Sequence, residues 1–139
     1  HVSTINLQLA VRCKGVKHLV LVTDAMPPLG AEGEEFLLYG QPVRKEGMIL
    51  KDVHGALAGS VLDLCSAIRH MVEQVGVHWH DAVCMASFNP ATFIGVHDRK
   101  GHLRVGADAD MVLLSKDWRC QKTWIGGQVV HAAKNASAI

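Results

Sequence analysis

The feature that most constrains this chain is the run Leu19-Val20-Leu21-Val22, which ends at once on Thr23 and Asp24. Val16–Val22, with its continuous apolar run Leu19–Val22, fits a parallel strand buried on both faces, because a strand with one wet face would alternate. Just upstream, Ser3–Lys14 carries Ile5, Leu9 and Val11 among small and polar residues, with Gly15 placed as a C-terminal cap. That pattern reads as a helix. Helix, glycine and buried strand in succession are the rhythm of an α/β fold. Asp24 then has two readings. It is a turn residue capping the loop that follows, or it is a carboxylate at the C-terminal end of a buried strand. The second position is where α/β barrels place their active sites, and a carboxylate there can move a proton between water and a leaving group. Periodicity leaves both open.

The rest of the chain sorts into segments. Pro27, Pro28, Gly30 and Gly33 spell a loop, and residues 35–52 read as two or three short strands turning at Gly40 and Gly47. A break follows at HGALAGS. From Ser60 to Val75 the residues Val61, Leu64, Cys65, Ile68, Met71, Val72 and Val75 recur at helical steps, the stripe of an amphipathic helix. Ser60 is expected as its N-cap, with Asp63 completing an approximate capping box. A second helix is expected over Asp81–Ser87, and Asn89-Pro90 starts a third, with proline in the first turn. From His102 the pattern changes to short strands separated by turns, with no helix between them.

Composition narrows the function classes. Of 139 residues 49% are apolar and 19% charged, and the formal net charge is +1 with acids and bases interspersed. Such a chain packs a core and offers no electrostatic footprint for nucleic acid or a membrane surface. Its apolar runs stop at four or five residues, and its start does not resemble a signal peptide. Cys13, Cys65, Cys84 and Cys120 form no CxxC pair and read as free, mostly buried thiols, as expected in a reducing compartment such as the cytoplasm. The chain begins with His1 directly against a helix-like segment, which predicts a fragment, a processed product or missing upstream sequence.

Nine histidines invite a metal hypothesis. His78 and His80 flank Trp79, but they stand at the start of a helix, where residues two apart do not face each other. They read as solvated residues, as does His70. The remaining histidines lack ligand spacing, so no metal site is expected within the chain. ALAGS, Ala56–Ser60, reads either as a tight loop-to-helix junction or as backbone that approaches a ligand closely beside helix amides.

Taken in order, LVTDAM, LAGS, DAVCMASFNPA, GHLRVGADADMVLL and TWIGGQVV resemble the C-terminal part of the N-acetylglucosamine-6-phosphate deacetylases, in the amidohydrolase superfamily. The likeness runs from His1 to about His131. GADADMVLL occurs across many amidohydrolases, whereas LVTDAM, LAGS and MASFNPA in this order are far more specific. The resemblance implies an α/β chain forming the C-terminal portion of a metal-dependent (β/α)8 barrel plus part of a small β-sandwich. Residues 1–100 would belong to the barrel, with a β insertion at about 35–52, and residues 101–139 to the sandwich. LVTDA would be the eighth barrel strand and Asp24 the general acid/base. Leu57, Ala58 and Gly59 would contact substrate, and His1, at the end of a D-G-x-H-V motif, the sugar phosphate.

The implied reaction is hydrolysis of the acetamide of N-acetylglucosamine 6-phosphate, giving glucosamine 6-phosphate and acetate in amino-sugar catabolism. The implied cofactor is a divalent metal, zinc or similar, whose glutamate and histidine ligands lie upstream of the aligned region. A barrel takes about 250 residues, so the chain is expected to be an inactive fragment of a cytoplasmic homo-oligomer, dimer or tetramer, with no nucleic-acid or membrane partner. N-acetylgalactosamine 6-phosphate differs by one hydroxyl and is the nearest alternative substrate. A cyclic amide fits LAGS after TDAM less well. A non-catalytic remnant or assembly module is the alternative of another class.

Overall fold

A computed structural model describes residues 2–133. The chain is a mixed α/β protein that divides into two compact units. One comprises Val22–Ala67, and the other the residues up to Leu21 together with those from Ile68 on. No helix among the described residues is long and apolar enough to cross a membrane.

In the second of these units, helix α1 covers Thr4–Lys14 as its residues predict. The Ser3 hydroxyl accepts from the Asn6 amide at 3.3 Å, and Gly15, at φ 75°, donates back to the Val11 carbonyl. The expected strand does not follow. Val16–His18 form a 3-10 turn and residues 19–24 carry no sheet ladder. Their burial alternates: Leu19 and Leu21 are half-buried while Val20 and Val22 are 40% and 75% exposed. A parallel strand buried on both faces needs a neighbour on each side, and the described residues supply none here. The segment is held instead from the helices. Leu21 donates to the Met85 carbonyl at 2.9 Å, and the Asn89 amide donates to the carbonyls of Val16 and Leu19 at 2.8 and 2.7 Å.

Leu19 and Leu21 pack against this unit's core of Ile68, Met71, Val75, Val77, Ala82 and Met85. The 3.6-residue stripe is therefore real, but its helix starts later than expected. Helix α2 is Leu64–His70, and Asp63 is its cap, accepting from the Ser66 amide at 2.8 Å and the Ser66 hydroxyl at 2.6 Å. Burial works against the Asp63 charge, yet these bonds hold its carboxyl below the ordinary value. The Ser60 hydroxyl accepts only from the Leu62 amide, at 3.0 Å. Leu64, in the first turn, is consequently 39% exposed. Met71–Val75 widen into a π turn, closed by left-handed Gly76, whose amide reaches the Met71 carbonyl. Helices α3, Trp79–Ala86, and α4, Phe88–Phe93, follow, with Pro90 in the first turn of α4.

The unit Val22–Ala67 is built on a four-stranded antiparallel meander of β1 (Glu35–Leu38), β2 (Gln41–Glu46), β3 (Ile49–Asp52) and β4 (Leu57–Ser60). The turns at Gly40 and Gly47 fall where expected. Leu38, Val43, Leu50 and Val61 form its core, and Met26, Phe36 and Ala58 pack against it.

The C-terminal strands β5 (Met111–Leu114), β6 (Cys120–Ile125) and β7 (Gln128–Ala132) pair antiparallel in order. The acidic pair of GADADMVLL works here as a clasp. Asp108 takes ion pairs from Arg99 at 2.6 Å and Lys100 at 2.8 Å. Asp110 is bonded to Lys100 and accepts from the Gly126 amide at 2.9 Å, at the β6–β7 turn. The Lys100 ammonium, first of all, holds both carboxyls below their ordinary value. None of the four cysteines forms a disulfide, but they are not buried as expected. Cys13 is exposed and the other three are half-buried.

Candidate active site

Asp24 and the Leu57-Ala58-Gly59 segment lie in the same unit, and the backbone brings them side by side. ALAGS is not a loop-to-helix junction: Leu57–Ser60 is strand β4, paired with β3. Helix α2 begins only at Leu64, so LAG has no place among helix amides. Period-two burial is hard to see in Leu-Ala-Gly-Ser, where two of four side chains are almost absent. Gly59 pairs with Leu50 and Leu57 with Lys51, so Ala58 is the extra residue of a β-bulge. Bulges bend a strand and re-aim its side chains, and they recur beside active sites. On the other side of β4, Ala25 forms a parallel bridge to Ser60, and Met26 donates to the Ser60 carbonyl at 2.8 Å. Asp24 immediately precedes that junction.

The backbone of Asp24 is left-handed, at φ 51°. Aspartate tolerates that region better than most residues, at a cost of roughly 1–2 kcal/mol. A turn-capping aspartate normally recovers part of this by accepting local amide protons. Asp52 does so at the β3–β4 turn, accepting from His54 and Ala56 at 2.9 and 2.8 Å. The Asp24 carboxylate has no hydrogen-bond or ion-pair partner among the described residues, and its side chain is exposed. The two aspartates therefore differ in kind. One is a cap, and the other is strained with its carboxylate unengaged.

The other candidates separate. His1 lies outside the described residues. His78 caps α3, its Nδ1 accepting from the His80 amide at 3.4 Å. His80, in the first turn, stands 3.9 Å from the Cys84 sulfur and 3.8 Å from an Asp81 oxygen. Burial pushes the Cys84 thiol up, and the Asp81 charge adds to it. Among the described residues no three histidines, cysteines or acids come together as a metal would require. A cavity of about 600 Å³ between α3 and α4 is lined by Lys17, His18, His80, Cys84 and Asn89 and holds none of the predicted site residues. Sequence reasoning read Asn89 only as a helix start and as part of MASFNPA, and missed that its amide binds carbonyls 73 and 70 positions away. It also missed the role of Met26, which ends LVTDAM.

The profile of the Amidohydrolase family matches residues 2–130. The chain belongs to the amidohydrolase family. Among related family members, it is 43% identical over 136 residues to the N-acetylgalactosamine-6-phosphate deacetylase of Shewanella sp. (strain ANA-3), covering 98% of this chain and 34% of that protein. It is 34% identical over 139 residues to the N-acetylglucosamine-6-phosphate deacetylase of Bacillus subtilis (strain 168), covering 100% of this chain and 35% of that protein. The crystal structure of N-acetylglucosamine-6-phosphate deacetylase from Pasteurella multocida superposes with a TM-score of 0.87 at 28% identity, over 96% of this chain and 35% of that one. The chain thus spans about a third of the length of these relatives.

Proposed function

We propose that the complete protein hydrolyses the acetamide of N-acetylglucosamine 6-phosphate to glucosamine 6-phosphate and acetate. One observation carries the reading: Asp24, strained and unengaged, stands beside the bulged LAG strand. Strain at an unpaired carboxylate is a mark of a functional site. As water attacks the acetyl carbonyl carbon, Asp24 takes the water proton. It returns that proton to the nitrogen as the carbon–nitrogen bond breaks, giving the amine and acetic acid, whose remaining proton passes to the amine to leave acetate and an ammonium group. Leu57, Ala58 and Gly59 border the sugar, and His1 donates to its phosphate.

The described residues do not fit a divalent metal, and the zinc-type cofactor is assigned to ligands outside this chain. In the same reading residues 1–100 close a (β/α)8 barrel and residues 101–139 belong to a small β-sandwich. The likeness in fold to the Pasteurella multocida deacetylase supports this. The protein would work as a cytoplasmic homo-oligomer. A second reading, N-acetylgalactosamine 6-phosphate as substrate, is favoured by the 43% identity to the Shewanella enzyme.

The test compares two aspartates in the complete protein. Asp24→Asn should lower turnover by ~10²–10⁴-fold, the usual share of a general acid/base, with little change in melting temperature. Asp52→Asn should leave turnover intact and lower the melting temperature. The reverse pattern would make Asp24 a mere cap. Assaying both phosphorylated sugars on the parent protein chooses between the substrates. His1→Gln should raise KM for the phosphorylated sugar and leave the unphosphorylated one unchanged; equal losses on both would refute the phosphate contact.

A further inference from the structure

LVTDAM and LAGS lie far apart in sequence, yet one contact accounts for the residue each places at its junction with the other. Met26 lies over Gly59. A Cβ at position 59 would come 2.6 Å from Met26 Cγ, 3.7 Å from Met26 Cβ and 3.6 Å from Leu50 Cδ1. Carbon atoms in good contact stand roughly 3.5–4.0 Å apart, so only glycine leaves room for the methionine. Gly59 also sits at φ 155°, backbone that side chains disfavour. The glycine is thus required by its neighbour in the fold, independently of any ligand.

The same methionine is fixed on two further sides. Its amide donates to the Ser60 carbonyl at 2.8 Å, and its side chain packs against the core of Leu38, Val43, Leu50 and Val61. Asp24 stands two residues before it, at φ 51°. A residue persists in such backbone only where its surroundings over-determine it. Residues 19–24 carry no sheet ladder, so within this unit the restraint comes from Ala25 and Met26.

Resting on the reading of Asp24 as the proton-transfer group, we propose that Met26 is a positioning residue. Its side chain, seated on Gly59, locks the LVTDAM segment to strand β4 and holds Asp24 in its left-handed, unengaged conformation. A displacement of about 1 Å at a reacting group can cost on the order of 10²-fold in rate. Loss of the methionine should therefore appear in kcat rather than KM.

Four variants of the complete protein test this: Met26→Ala, Met26→Leu, Gly59→Ala and the double variant Met26→Ala/Gly59→Ala. Met26→Ala should lower kcat by roughly 10- to 100-fold with KM within about twofold, and Met26→Leu, which conserves volume, should restore most of the rate. The double variant should lose less activity and less melting temperature than the two single losses combined, because truncation removes the Cγ that an alanine at 59 would strike. Unchanged kcat in Met26→Ala overturns the proposal, as does a strictly additive double variant. If Gly59→Ala is too unstable to assay, a higher melting temperature in the double variant than in Gly59→Ala still supports the contact, and an equal or lower one overturns it. Asp24→Asn separates the two levels. An inactive Asp24→Asn with a fully active Met26→Ala removes the positioning role alone, whereas a fully active Asp24→Asn removes the functional reading beneath it.

Discussion

The molecule contains two antiparallel meanders whose strands read alike and whose packing differs. β1–β4 enclose a core in which Leu50 is fully buried and Leu38, Val43 and Val61 are nearly so. No described residue of β5–β7 is buried, and Val112, Ile125, Val129 and Val130 are 55–59% exposed. Both sheets have apolar strands and tight glycine turns, so local preference suffices to write a ladder. Closing a core takes a second surface. Met26 and Val61, which lie outside the four strands, supply one for the first sheet. The second is held by polar bonds at its margin, the Arg99, Lys100, Asp108 and Asp110 clasp on the Gly126 turn. An exposed group of apolar side chains on one sheet marks a surface that another element covers, which supports the proposed sandwich, in which that face would be covered.

The contrast can be broken at three levels. Leu50→Ala should have the largest effect, costing about 2–5 kcal/mol as a buried leucine lost from a closed core. Denaturant unfolding measures it, and a cost under about 1 kcal/mol would mean that the first sheet is as open as the second. An intermediate effect is expected from acid. Asp108 and Asp110 have lowered pKa values, so their contribution is complete above the ordinary aspartate value of about 3.9. It is lost as the pH falls through their depressed folded values. Glu46 is lowered in the first sheet by Lys51, but the Leu50 core does not titrate. Amide exchange, corrected for its intrinsic pH dependence, should show β6 and β7 losing protection in acid before β2 and β3. Simultaneous loss would show that the clasp contributes nothing. The smallest effect belongs to Val129→Thr on edge strand β7, expected within about 0.5 kcal/mol. A cost like that of Leu50→Ala would reveal that the second sheet is already covered.

Legibility followed the range of the forces involved. The C-terminal cap of α1 was readable because Gly15 acts within one helical turn, whereas Ser3, read as part of the helix, is its N-cap. The turns at Gly40 and Gly47 were readable for the same reason. The start of α2 was misplaced because Ser60 and Asp63 are both good caps, and only the fold, which ends β4 on Ser60, left the helix to Asp63. The Val16–Val22 run carried the composition of a buried strand, but a ladder is a property of neighbours. The described neighbours are the carbonyl of Met85 and the amide of Asn89.

The candidate site divides in the same way. The residues alone marked Asp24 as either a cap or a catalyst and ALAGS as either a loop-to-helix junction or backbone approaching a ligand, and the ordered motifs identified the family. Tertiary structure decided that the Asp24 carboxylate lacks the local amide partners that Asp52 has. It likewise decided that Gly59 must be glycine on account of Met26. Both decisions depend on which distant segment lies within about 4 Å, and that separation is set by packing the whole unit rather than by any window of sequence.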